Sequence, residues 1–339
     1  MIKKILIFLV VIMPAGLMAQ VGIGERTFHF NDSLRKRPLT TEVWYPTTDT
    51  RKPDSIPGYP FKHLPSVWNA AIQSGKHPLI MISHGTGGGR MTLEWLADAL
   101  VADGFIVAAV DHWGNTYDNK IAIDFVTPWQ RPQDISFVLT QLLKNKDLSP
   151  VIDGTRIGAA GFSKGGYTVI ALAGGQVSFE ALDQFDHTPE GKKETTLPEF
   201  PNLDKVIDTA HVEALFKASP DLMDKRISAF FAMCPAIGQG FVSQEQVSRV
   251  TAPLYIVGAQ SDSIAPVKTN AAHYHQLIKN SKLYIVPGKA GHYVFLNEPA
   301  GSLSRTENPF MFDDATVDRH KVHEQAGKMA VAFFHSVLK

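Results

Sequence analysis

The chain has 339 residues, with 33 lysines and arginines against 33 aspartates and glutamates, so its formal net charge is zero. That balance leaves no electrostatic footprint for nucleic acid, and no run of like charges forms a basic or acidic tail. A hydrophobic share of 44% excludes a mostly disordered chain, and the single cysteine, Cys234, excludes an intramolecular disulfide framework and a Cys-rich zinc site.

The first twenty residues read MIKKILIFLVVIMPAGLMAQ. Lys3 and Lys4 precede a short apolar run, Ile5 to Met13, which Pro14 and Gly16 interrupt before a small residue, Ala19. The run is about half of the ~20 residues that span a bilayer. The expectation is a signal peptide over 1–19, cleaved before Gln20. The mature protein, 20–339, is then periplasmic or secreted, and without a cysteine near the cleavage point it keeps no stable membrane anchor.

Thr27–Phe30 and Thr41–Tyr45 read as two strands joined by a charged turn, and Thr47 to Pro65 as a loop rich in Pro, Asp and Thr. Pro78–Ser83 is a continuous apolar run, the pattern of a buried strand. Met91–Val101 has helical spacing, Phe105–Val110 is a second buried strand, and Pro132–Leu143 is a helix with Ile135, Val138, Leu139 and Leu142 on one face. Arg156–Phe162 is a strand and Lys164–Ala173 a helix. Ile227–Met233, Leu254–Val257 and Leu283–Val286 are further strands, Pro266 is expected to open a helix, and His320–Leu338 closes the chain as a helix. Strands alternating with helices predict βαβ units and a mostly parallel sheet. Gln176 to Lys225 breaks the rhythm with a polar, poorly periodic stretch. Such an insertion, helical or irregular, is a candidate lid over a site at the sheet edge, the alternative being a surface excursion with no part in binding.

Gly161-Phe162-Ser163-Lys164-Gly165-Gly166 matches G-x-S-x-G, preceded by a strand and followed by a helix. A serine on so sharp a turn needs glycines on both sides, where side chains would collide with neighbouring elements. A serine hydroxyl is a poor nucleophile near neutral pH and needs a base, which in turn needs an orienting carboxylate. For a serine on such an elbow these partners follow in the order acid, then histidine. Asp262 closes a turn after the strand LYIVGA, and His292 ends a Gly-rich loop after the strand LYIV. Both stand past the carboxyl ends of strands, the edge that also carries Ser163. Of the 13 histidines, His273, His275 and His335 lie on helix-like segments and read as surface or packing residues. His112 could line a pocket but precedes the serine, while Asp221 and Asp224 fit no strand end.

Ser83-His84-Gly85-Thr86-Gly87-Gly88-Gly89 follows the first buried strand. Its glycines do not fall in the G-x-G-x-x-G frame, and no P-loop Lys-Ser/Thr is present. The reading that fits is an oxyanion hole, built from the backbone amides of Thr86 and of Lys164. His84, Gly85 and Trp113 are read as substrate-facing; Trp113, Trp129 and Phe241 are either pocket walls or packing residues. Cys234, in the apolar run FFAMC, reads as a small buried hydrophobe.

These strings resemble the α/β-hydrolase superfamily over nearly the whole mature chain. VWYP at 43–46, SHGTGG at 83–88, VDHWGN at 110–115, RPQDISFVL at 131–139, GFSKGG at 161–166 and AGHYVFL at 290–296 look like the dienelactone hydrolase branch and the bacterial relatives of platelet-activating factor acetylhydrolase. The resemblance implies an eight-stranded, mostly parallel sheet and ester hydrolysis through an acyl-enzyme. It assigns Ser163 as nucleophile, His292 as base and Asp262 as acid. The plasma acetylhydrolases place the acid after the strand that directly follows the nucleophile. Here that stretch, Phe231 to Pro235, has no carboxylate, and Asp262 agrees instead with dienelactone hydrolases, whose own nucleophile is cysteine.

The expected function is a serine carboxylester hydrolase for a small-molecule or lipid-like ester with a short acyl group, requiring no metal or organic cofactor. A peptidase or amidase, a polymer-ester hydrolase, and a non-catalytic binding protein on the same fold are the alternatives. An ordered lid over 176–225 would count against an open cleft for a polymer.

Overall fold

The computed structural model describes residues 22–194, 199–301 and 303–339. The expected signal peptide lies outside them. Among the described residues no helix is long and apolar enough to cross a membrane.

The chain opens with a hairpin. β1 (Gly22–Asp32) and β2 (Arg37–Thr47) pair antiparallel along their whole length. Asp32 braces the turn by accepting from the Arg35 Nε, and Lys36 takes a left-handed φ of 55°. Both strands run longer than the apolar pattern suggests, because their ends pair through backbone groups that need no apolar side chain. There follow β3 (Val67–Trp68), β4 (His77–Ser83), α1 (Glu94–Val101), β5 (Ile106–Val110), α2 (Ala122–Val126), α3 (Gln130–Lys144), β6 (Ile152–Phe162) and α4 (Lys164–Leu172). The insertion carries α5 (Phe179–Asp186), α6 (Gly191–Glu194) and α7 (Thr209–Lys217); β7 (Ala229–Met233), β8 (Leu254–Ala259), α8 (Ala271–Leu277), β9 (Ser281–Val286) and α9 (Arg319–Val337) complete the fold.

The nine strands of the described residues form one sheet in the order β3-β1-β2-β5-β4-β6-β7-β8-β9. From β5 through β9 every pairing is parallel. The ninth strand beyond the expected eight is the two-residue β3, whose pairing with β1 is too short to leave a periodic signal. β4, β5 and β7 are apolar without alternation because helices cover both faces of the sheet. One core places Val138, Leu139 and Leu142 of α3, Ile170 of α4 and Tyr274 of α8 against Met81, Ala108 and Phe230. The other places Leu96 and Leu100 of α1 and Ala330 and Phe334 of α9 against Ile80, Val107 and Phe231. Burying a Leu or Phe side chain fully contributes ~1.5–3 kcal/mol. α1 and α9 approach so closely that a Cβ on Gly327 would stand 2.9 Å from the Ala99 Cβ.

One expectation changes. Pro266 begins a turn, not a helix: its carbonyl accepts from Asn270 N, and α8 starts at Ala271 because Asn270 leaves helical geometry. The 176–225 insertion mixes short helices with irregular chain among the described residues, in line with the expected helical or irregular insertion. Ser178 caps α5 and Asp208 caps α7 through their side-chain oxygens. These helices are too short to show a clear period.

Candidate active site

Ser163 stands between β6 and α4 with φ 56° and ψ −118°, a strained conformation for a residue with a Cβ. Its neighbours hold it there: Ser163 N donates to Met233 O at 2.9 Å, and Ser163 O accepts from Ala236 N at 3.0 Å. The flanking glycines are required by contact. A Cβ on Gly161 would lie 2.1 Å from Gly165 O, one on Gly165 would lie 1.9 Å from Ser83 O, and one on Gly166 would lie 2.7 Å from the Pro235 Cα. The motif therefore records how tightly β6, α4, β4 and the end of β7 pack around the turn.

Two further strand ends bring in the partners. His292 Nε2 lies 2.9 Å from Ser163 Oγ, and His292 Nδ1 lies 2.7 Å from Asp262 Oδ2. Asp262 Oδ1 accepts from the amides of Ile264 at 2.9 Å and Ala265 at 2.7 Å, which fix the carboxylate. All three side chains are buried, Ser163 being only 6% exposed. With Nδ1–H donating to Asp262, Nε2 is free to accept the serine proton.

Cys234 stands at the end of β7, and its sulfur lies with the reactive atoms of Asp262 and His292 inside a 4.8 Å cluster. Burial, reinforced by the Asp262 charge, pushes its thiol up well above the usual range. A protonated thiol is a poor metal ligand. The ends of β7 and β8 thus converge beside the imidazole.

The loop after β4 faces the elbow. A Cβ on Gly85 would stand 3.3 Å from the Ser163 Cβ and 3.0 Å from the Phe162 ring. Among the described residues neither the Thr86 amide nor the Lys164 amide has a hydrogen-bond acceptor. Lys164 is the first residue of α4, whose opening N–H groups have no intrahelical partner. Two unpaired amides flanking a serine suit an oxygen that gains negative charge.

Several expectations are corrected here. His84 is not substrate-facing: its side chain is buried, Nδ1 lies 2.6 Å from Gly85 O, and Nε2 accepts from His112 N. Burial and the Arg131 charge drive its pKa well down, so the ring is neutral. His112 does not line a pocket. It is fully buried between Ser83 Oγ at 2.9 Å and Asp134 Oδ2 at 3.0 Å, and burial lowers its pKa to about 4. Ser83–His112–Asp134 thus repeats the residue types of the site, but Ser83 is sealed in the sheet at 1% exposure. Phe241 is a core residue stacked edge-on against Tyr274 at 5.0 Å. Trp129 is covered by Phe216 of the insertion, and Trp113 is partly exposed with its carbonyl taken by Arg37.

Among the described residues, Glu199 of the insertion reaches the site. A Cβ on Gly87 would stand 3.0 Å from the Glu199 Cβ, and the Glu199 carboxylate accepts from the Tyr293 hydroxyl at 2.9 Å, next to His292. Phe200 packs edge-on against Phe125 at 5.0 Å. Beneath them the Lys164 side chain is buried, its Nζ donating to Phe125 O at 2.6 Å, and burial brings its pKa down to about 7. Neither Glu199 nor the Lys164 side chain has a sequence signature, since only packing brings them to the site.

The family model described as platelet-activating factor acetylhydrolase, isoform II, matches residues 58–125, the stretch that carries the loop after β4. The platelet-activating factor acetylhydrolase of Bos taurus is 47% identical over 49 residues, 14% of this chain and 11% of that protein. That of Cavia porcellus is 44% identical over 50 residues, 14% of this chain and 12% of that protein. The matched stretch thus spans little more than a tenth of these relatives. A ferulic acid esterase from Streptomyces cinnamoneus superposes with a TM-score of 0.62 at 18% identity, over 96% of this chain and 92% of its own. The chain shares the overall fold of that esterase and is similar over residues 58–125 to the platelet-activating factor acetylhydrolases.

Proposed function

We propose that the chain is a serine carboxylester hydrolase with a preference for short acyl groups, exported to the periplasm or beyond. The observation that carries the reading is the continuous Ser163–His292–Asp262 hydrogen-bond chain beside two unpaired amides. In this reading Ser163 Oγ attacks the ester carbonyl while His292 Nε2 takes its proton. The amides of Thr86 and Lys164 bind the oxyanion, and the tetrahedral intermediate collapses to an acyl-enzyme as His292 returns the proton to the departing alcohol. Water, deprotonated by His292, then releases the acid. Asp262 holds the imidazole tautomer throughout.

Support for an ester comes from the names of the similar proteins, an acetylhydrolase and an esterase. Support for a short acyl group comes from the acetyl in the first name and from the covered serine. An insertion that folds down on the loop at Gly87 disfavours a polymer substrate, which needs an open cleft. Export rests on residues 1–20 alone.

The test is turnover of p-nitrophenyl acetate, butyrate and octanoate alongside a p-nitroanilide, with a fluorophosphonate label mapped by peptide. Acetate or butyrate should be cleaved fastest, and the label should fall on Ser163. Ser163→Ala should lose at least ~10³-fold in turnover. Undiminished turnover in that variant, or a label on another serine, would end the proposal.

A further inference from the structure

The Gly-rich loop that supplies the Thr86 amide is by composition free to turn its peptides either way. Gly85, Gly87, Gly88 and Gly89 surround it, and Gly87 sits at φ 62°. In a trans peptide the C=O and N–H point in opposite directions, and the described residues contain no cis bond. The direction of the Gly85 carbonyl therefore sets the direction of the Thr86 N–H. Turned one way, the amide faces the serine. Flipped, the Gly85 carbonyl oxygen would face it and repel a developing oxyanion.

Three donors hold the Gly85 carbonyl: Arg131 Nη2 at 3.0 Å, His84 Nδ1 at 2.6 Å and Gly88 N at 3.3 Å. Arg131 is the one cation among them. Its Nη1 also donates to His84 O at 2.5 Å, and Nη2 donates to Asn115 Oδ1 at 2.6 Å, the oxygen that also accepts from Gly87 N. One guanidinium thus grips two successive carbonyls and, through Asn115, a third peptide of the same loop. It is 1% exposed, and its side-chain hydrogen bonds go to neutral oxygens, with no carboxylate in direct contact among the described residues. Holding a cation there is costly; burial, with the Arg37 charge adding to it and the Asp134 charge opposing it, lowers its pKa to about 9. A neutral brace would satisfy two carbonyls at far less cost.

Resting on the esterase reading above, we propose that Arg131 is the positioning residue of the oxyanion hole. It locks the His84–Gly85–Thr86 backbone so that the Thr86 N–H faces the site, and its charge polarises that peptide so that the N–H donates more strongly. Arg131 touches no substrate and acts only through the Gly85–Thr86 peptide. Because the oxyanion forms only after attack, the effect falls on the transition state and not on ground-state binding.

The experiment compares wild type with Arg131→Met and Arg131→Lys on p-nitrophenyl acetate. It also measures affinity for a trifluoromethyl ketone, whose hydrated adduct carries the oxyanion, and determines the crystal structure of each variant. Arg131→Met should lose ~10²-fold in kcat, as for one lost oxyanion donor, with KM within about threefold of wild type. Ketone affinity should fall in parallel with kcat. Arg131→Lys, which keeps the charge but reaches fewer oxygens, should lie between and serves where Arg131→Met does not fold. A folded variant with wild-type kcat, or one whose kcat falls while ketone affinity stays, would overturn the proposal. Should wild type prove inert to esters, the esterase reading fails by itself. The orientation of the Gly85–Thr86 peptide then still decides the role of Arg131: turned in the variants, the brace is established; unturned, it is refuted.

Discussion

Ser163, His292 and Asp262 are far apart in the chain and meet within 3 Å contacts because each follows the carboxyl end of a parallel strand. Asp262 and Asp224 make a fair contrast. Asp262 points its carboxylate at an imidazole and two amides, whereas Asp224 binds Arg226 at 2.9 Å, away from the serine. Asp262→Asn should leave the fold intact and lower kcat by about 10³–10⁴-fold, through loss of the correct imidazole tautomer. Asp224→Asn should stay within about threefold of wild type on the same ester. The opposite ranking would move the acid to Asp224. The residue types of this site were legible from the G-x-S-x-G frame and from the two later strand ends. His84 was misread because a histidine beside a Gly-rich loop looks the same in sequence whether its ring faces substrate or the interior. Only the acceptors around it, His112 N and Gly85 O, show which.

At the level of elements the elbow is defined by what a methyl group would strike. Gly165→Ala forces a Cβ to within 1.9 Å of the Ser83 carbonyl, a backbone atom that cannot turn aside. The variant should lose about 3 kcal/mol or more of unfolding free energy in a urea titration, as an overpacked contact between rigid elements. A loss below about 1 kcal/mol would show that β4 and α4 are more loosely joined than described. Strands were the easier elements to foresee, since a continuous apolar run bounded by turn residues has few other readings. β3 escaped because two residues carry no period, and the bounds of the insertion's helices escaped because each is short and only part-buried.

For the whole molecule, burial of uncharged imidazoles couples stability to pH. His323 on α9 stacks on Trp95 at 4.3 Å, bonds Val294 O at 2.8 Å, and is held down to a pKa of about 3 by burial. The folded value is below the unfolded one near 6.5, so the unfolded chain takes up the proton first. The stabilisation is complete above about pH 6.5 and is lost at up to ~1.4 kcal/mol per unit as pH falls toward 3. Glu25, pushed up to about 7 by burial, acts in the opposite sense as pH rises from its unfolded value, so wild type alone does not isolate the histidine. The free-energy gap between wild type and His323→Gln does: it should narrow steadily from pH 6.5 to pH 5, and a constant gap would refute the account. By itself the sequence determined the fold class, the sharp turn at Ser163 and the strand ends that carry Asp262 and His292, because those signals are local and periodic. Only the tertiary structure decided which side chains face the site. It turned His84 and His112 inward, placed Glu199 over Gly87, and set Arg131 beneath the loop. Each of these depends on contacts between elements distant in sequence, where no spacing rule operates and packing alone selects the partner.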